Sequence, residues 1–291
     1  MSRVTVVNSW NHQTGQQLLT IRNFLLDLSN DTTEVDLTRL KFYPPLISIF
    51  FSQFIQNNPE IEFILPVSSY LNTIDFPSGF NYTNIEPEAA FTNFNNKTYL
   101  PIVKFSTSTL ESEVILRNKL ISQTGQMIRK ITNLQTNYYS GISYLISELT
   151  DNIVEHSRAS FGWIMFQYYP SEQFMDICIA DSGIGILGAY QSYIGPKNFS
   201  HISTHKEAVD NMIKGASTKN LTDQERGFGV HTSREMLISG LNGKYIYLSG
   251  DALLNNYDLI DFGVASNCTL AFLRIPIQQQ NTNFSVYDYT E

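Results

Sequence analysis

Three short segments in a fixed order constrain this chain more than anything else in it. Residues 148–156 read Glu-Leu-Thr-Asp-Asn-Ile-Val-Glu-His. Asp181-Ser-Gly-Ile-Gly185 follows, and then Arg226-Gly-Phe-Gly229 ahead of a helical stretch. Together they supply a carboxylate and an amide one helical turn apart, a strand ending in Asp-x-Gly-x-Gly, and a Gly-x-Gly before a helix. In that order they describe a nucleotide pocket.

Each segment also has a plainer reading. Apolar residues at 142, 145, 146, 149, 153 and 154 have helical spacing, which puts Glu148 and Asn152 on one face beside Leu145 and Leu149. A hydrated Mg²⁺ suits that pair, because it takes oxygen ligands from one or two side chains and from substrate phosphates. Read alone, the segment is also an ordinary helix with its polar residues in water. Residues 174–180, Phe-Met-Asp-Ile-Cys-Ile-Ala, read as a strand ended by Asp181. An Asp there can accept a hydrogen bond from an exocyclic amine such as that of adenine, and Gly183 and Gly185 allow close backbone approach. Alone, this too is a common strand-to-turn sequence. Gly227 and Gly229 open a helix whose free N–H groups suit phosphate.

The three segments in this order resemble the ATPase domain shared by DNA gyrase, histidine kinases, the ninety-kilodalton heat-shock chaperone and MutL, the GHKL superfamily. Glu148 and Asn152 match its N box, Asp181, Gly183 and Gly185 its first glycine box, and Gly227 and Gly229 its second. Lys214-Gly-Ala-Ser-Thr-Lys219 resembles the lid before the second box. Thr269 stands where the family often has Gly-Thr, with Cys268 in place of that Gly. The resemblance covers roughly residues 98–278. It implies ATP and Mg²⁺ as ligands, with Glu148 orienting or deprotonating the attacking group and Asn152 on the metal. It also implies adenine selection by Asp181 and phosphate contacts from Lys214, Lys219, Arg226, Gly227 and Gly229.

The expected fold is α+β in two domains. Residues 1–97 form a small α/β unit with an Asn-rich connector, 98–278 a sandwich with helices on one face of a mixed sheet, and 279–291 a polar tail. The segment Val35-Asp-Leu-Thr-Arg-Leu-Lys-Phe-Tyr-Pro-Pro-Leu-Ile-Ser48 resembles the central strand and loop of a STAS domain, which implies a docking or regulatory role. Pro44 and Pro45 occupy the phospho-acceptor position of that loop.

The helix expected near 109–133 contains no His, which argues against histidine autophosphorylation. A long helix directly before the Glu-x-x-x-Asn helix looks more like the anti-sigma-factor serine kinases. The leading expectation is therefore a Mg-ATP-dependent protein Ser/Thr kinase acting on a partner. The alternatives are an ATP hydrolase switched by lid or dimer closure, as a homodimer would allow, and a nucleotide-sensing module without turnover.

Composition narrows the setting. The chain has 291 residues and a formal net charge of −8, which implies no broad nucleic-acid surface. Its 42% hydrophobic content suffices for packed cores. Cys178 and Cys268 lie on expected core strands and form no disulfide framework. The N-terminus lacks a basic segment followed by an apolar run, and Leu46–Phe51 is far too short to span a bilayer. A cytoplasmic protein without membrane contact is the expectation.

Overall fold

The computed structural model describes residues 2–8, 11–81, 91–216, 218, 229–278, 280 and 283–290. The described residues form a mixed α+β fold with two sheets. The first sheet holds β1 (Ser2–Thr5), β2 (Thr32–Asp36) and β3 (Glu62–Ile64), parallel and in that order. Helices α1 (Thr14–Asp27) and α2 (Pro45–Asn57) make its two crossovers. Pro45 opens α2, where a missing N–H costs nothing. A short helix, α3 (Ser69–Thr73), leads out of this unit.

The second sheet has six strands. These are β4 (Phe80–Asn81), β5 (Tyr99–Ser106), β6 (Phe161–Tyr169), β7 (Phe174–Asp181), β8 (Lys244–Asn255) and β9 (Asp258–Pro276). Their spatial order is β4-β5-β6-β7-β9-β8. Only the β4–β5 pair is parallel, so the sheet is mixed. Although β4 precedes the expected boundary at residue 97, it belongs to this second sheet.

Two long antiparallel helices cover one face, α4 (Glu111–Thr132) and α5 (Thr136–His156). Asn133, in the left-handed region at φ 50°, ends α4 and lets the chain reverse. Smaller helices α6 (Gly185–Gln191), α7 (His205–Ile213) and α8 (Gly229–Glu235) lie nearer the site, and α9 (Tyr287–Thr290) is a final turn. Thr204 and Glu207 form a capping box at the start of α7. In the structure the His205 ring lies against Gly250, where a Cβ would come within 2.3 Å of it.

The other face of the six-stranded sheet departs from expectation, because α1 and α2 cover it. Along β7, Ile177 and Ile179 join the core under α4 and α5, while Cys178 and Ala180 face α1 and α2. Met165, Ile246, Leu248, Leu270 and Phe272 share this second core with Ile21, Phe24, Leu46 and Phe50. Each such fully buried side chain stabilises the fold by about 1.5–3 kcal/mol. In register, Gly250 faces Ser266 but Ala252 faces Asp261, so β9 carries extra residues and bulges. The bulge reaches α1, where Arg22 Nε donates to the Phe262 carbonyl at 2.8 Å.

Asp176 interrupts the apolar run of β7 yet is fully buried. Arg274 on the neighbouring β9 grips it with two hydrogen bonds, 2.7 and 2.8 Å. Burial pushes its carboxyl to about 6 against the pull of that guanidinium. Both cysteines are buried and unpaired, and burial raises both thiols, Cys268 to about 12. Among the described residues, no helix is long and apolar enough to cross a membrane.

Candidate functional site

Helix α5 buries Ile142, Leu145, Ile146, Leu149 and Ile153 against the sheet. That stripe fixes the helix's rotation and leaves Glu148 and Asn152 half-buried at its margin. Tyr144, one turn earlier, shares a hydrogen bond with Glu148. Burial, with a smaller push from that carboxylate, raises the Tyr144 hydroxyl to about 12. Gly229, the first residue of α8, lies directly against this pair. A Cβ there would come within 2.5 Å of Glu148 Oε2 and 3.8 Å of Asn152 Nδ2. Asn152 Nδ2 is itself buried without a hydrogen-bond partner. Residues from the first and last segments of the sequence triple thus meet at one place.

The middle segment docks on the C-terminal end of the same helix. Ser157, which caps α5, offers its carbonyl to the Ile184 N–H at 2.8 Å. Gly183 lies so close that a Cβ would fall 1.9 Å from the Ser157 carbonyl oxygen and 2.6 Å from its carbon, both backbone atoms that cannot swing away. Gly183→Ala is therefore expected to displace the turn and destabilise the protein by about 1–3 kcal/mol. Denaturant unfolding checks this, and an unchanged midpoint would mean the turn moves freely. At 1.5 Å per residue, Ser157 is about 7.5 Å along the helix from Asn152.

Asp181 is 3% exposed, and one of its oxygens accepts the Gly183 N–H at 2.8 Å. Burial pushes its carboxyl to about 7, opposed only by that hydrogen bond. Thr269 on β9 stands directly opposite Asp181, and Ser249 on β8 directly opposite Thr269. The two hydroxyls are 3.4 Å apart, and Ser249 Oγ accepts the Ile186 N–H at 3.1 Å. Gly185, at φ 66°, turns the chain past them, and a Cβ there would lie 3.2 Å from Ser249 Oγ. Sequence reading passes over Ser249. Its signal is a small polar residue in phase with Tyr245 and Tyr247, on the face of β8 turned away from α1 and α2.

The structure therefore gathers Glu148, Asn152 and Gly229 on the C-terminal half of α5, and Asp181, Gly183, Gly185 and Thr269 about two turns further on, past its C-terminal end. Lys214 does not join them. Its ammonium is 2.5 Å from Asp210, one turn back on α7, in an exposed pair. Such a pair is weak and leaves Lys214 cheap to redirect. Lys219, Arg226 and Gly227 lie outside the described residues. His156 contacts Thr218 at 3.2 Å and Glu155 at 3.7 Å, as suits a packed helix-end residue.

The residues present fit a magnesium nucleotide. Asn152 has an unmet Nδ2 donor beside a carboxylate, which suits a phosphate oxygen and leaves Oδ1 as the atom a Mg²⁺ would take, and Asp181 is an acceptor held where water is scarce. Among the described residues, no group of three or more His, Cys, Asp and Glu side chains could hold a metal by itself. A Mg²⁺ at Asn152 would depend on phosphate and water for its other ligands, as that ion commonly does. No protein-family model matches the chain, and no curated protein shows significant similarity to it.

Proposed function

We propose that the chain binds Mg-ATP and acts as a protein Ser/Thr kinase of the anti-sigma-factor type on a separate regulatory partner. One observation carries this reading. Glu148, Asn152 and Gly229 converge on the C-terminal half of α5, and the buried Asp181 stands just past the C-terminal end of the same helix, backed by Thr269 and Ser249. Asp181 would accept the exocyclic amine of adenine. Asn152 would hold Mg²⁺, which bridges and neutralises the phosphates when bound. The N–H groups opening α8 would face phosphate. Glu148 would take the proton of the attacking hydroxyl, with the Tyr144 contact restricting its rotamers. The three-stranded unit would present the partner, because α1 and α2 tie it to the back of the six-stranded sheet.

The test of the reaction is incubation with γ-labelled ATP and host lysate. A labelled Ser or Thr on another protein supports a kinase. Phosphate release without an acceptor indicates a hydrolase, and binding without turnover a sensing module.

The metal role is tested separately. Asn152→Ala is expected to weaken Mg²⁺-dependent ATP binding by about 10- to 100-fold, the range seen when even an outer partner of a metal ligand is lost. Metal-free ADP should bind nearly as before. Calorimetry showing equal losses for both ligands in a folded variant would make Asn152 structural.

A further inference from the structure

We propose a second ligand site, in the cleft between the C-terminal halves of α1 and α2 and the 265–268 stretch of β9. Its ligand is a small planar molecule with an amide-like edge, an N–H donor beside a C=O acceptor, as in a lactam, a cyclic urea or a pyrimidine base. The cleft has a volume of about 380 Å³. Small-molecule sites begin at roughly 300 Å³. Leu25, Phe50, Phe54 and Ile61 give it apolar walls, and Ser266 and Asn267 line the side formed by β9.

Gln53 defines the ligand. Its side chain lines the cleft, is 1% exposed, and has no hydrogen-bond partner on either its amide nitrogen or its amide oxygen. Buried polar atoms are nearly always paired, so a side chain with both ends unmet points to a missing partner. A carboxamide presents donors and an acceptor side by side. Its natural complement is a second edge of the same kind, the geometry by which Gln reads an adenine edge with two hydrogen bonds. The neighbouring Phe50 and Phe54 rings stack with centroids 6.2 Å apart and planes 21° apart, a wall suited to a flat ligand. Among the described residues lining the cleft, Glu60 alone is charged. Nothing there neutralises phosphate or carboxylate, so the ligand is neutral or cationic and differs from the ligand of the Asp181 site. The two sites also lie on opposite faces of β9, since Cys268 faces the cleft while Thr269 faces Asp181.

Saturation-transfer NMR on the full chain tests this with uracil and nicotinamide as probes. The control is 1,3-dimethyluracil, which keeps the ring but has no N–H. Uracil or nicotinamide is expected to bind with a Kd on the order of 1 mM. The dimethyl control should bind at least roughly tenfold more weakly, and so should uracil to Gln53→Leu. Should Gln53→Leu fail to fold, Asn57→Trp blocks the cleft from its exposed rim and should abolish the signal. ATP should leave the uracil signal in place. The proposal is overturned if no probe gives a signal at roughly tenfold higher concentration. It is equally overturned if the control binds as well as uracil, if a folded Gln53→Leu or Asn57→Trp protein binds like wild type, or if ATP displaces uracil.

Discussion

Replacing Glu148 by Gln is expected to slow phosphoryl transfer or hydrolysis by roughly 10²- to 10⁴-fold, the usual contribution of a placed general base. ATP affinity should change by less than about threefold, because the group acts toward the attacking hydroxyl and not toward the nucleotide. Gln keeps the volume that fills the space against Gly229, and it can still accept from the Tyr144 hydroxyl. The change therefore removes basicity with little else. Single-turnover kinetics on the labelled substrate, beside calorimetry of ATP, separate rate from binding. A mutant as fast as an active wild type would remove Glu148 from the chemistry and leave its position at the α5–α8 junction as a matter of shape.

Asp181→Asn should move binding and stability in opposite directions. Its effect on binding is a loss, because one acceptor oxygen becomes a donor facing the adenine amine. A hydrogen bond to a charged group is worth about 1.5–3 kcal/mol, or roughly 10- to 150-fold in Kd. Stability without nucleotide should rise. The folded carboxyl titrates near 7, well above an unfolded Asp near 3.8. Between those values the folded state holds a proton that the unfolded chain has released, so stability falls as pH rises through the window. Above pH 7 the buried charge costs at most about 4 kcal/mol. Asn carries no such cost. The variant should therefore resist denaturant better than wild type at pH 8, with the difference vanishing near pH 4. An Asp181→Asn protein that is less stable at pH 8 would contradict the burial argument. Unchanged ATP affinity would contradict the adenine contact.

Much of this architecture is legible in the residues themselves. The 161–169 strand, the two long helices and the Asp181 strand end all carry strong periodicity or a sharp turn signal, and the structure places them where that signal does. The front half of β9 is hidden because Asp258, Asp261, Gly263 and Ser266 break its apolar alternation, and pairing with β8 supplies what local preference lacks. Helix α7 is short and amphipathic, and its Thr204–Glu207 capping box is the cue that sequence reading passes over. The second covered face had a signal as well. Met175 to Ala180 is apolar on both sides of the strand except for Asp176, as expected of a strand buried on both faces. Ser249 joins the site through tertiary register with Thr269, and its sole local cue is a small polar residue in phase with Tyr245 and Tyr247.

The placement of α1 and α2 sets the order in which this protein can be finished on the ribosome. Helix α2 buries nine consecutive residues, Pro45 to Gln53, much of that surface against strands made far later. Arg22 finds its carbonyl partner 240 residues downstream. At translation rates of about 5–20 residues per second, the first helices wait roughly 12–48 s for β9 to emerge. Until β6, β7 and β9 emerge in turn, Ile47, Phe50 and Phe51 have only the small three-stranded sheet and α1 to share a core with. The yield of the nascent chain is therefore expected to depend on holdase supply more steeply than its folded stability would suggest, which expression with and without added holdase would check.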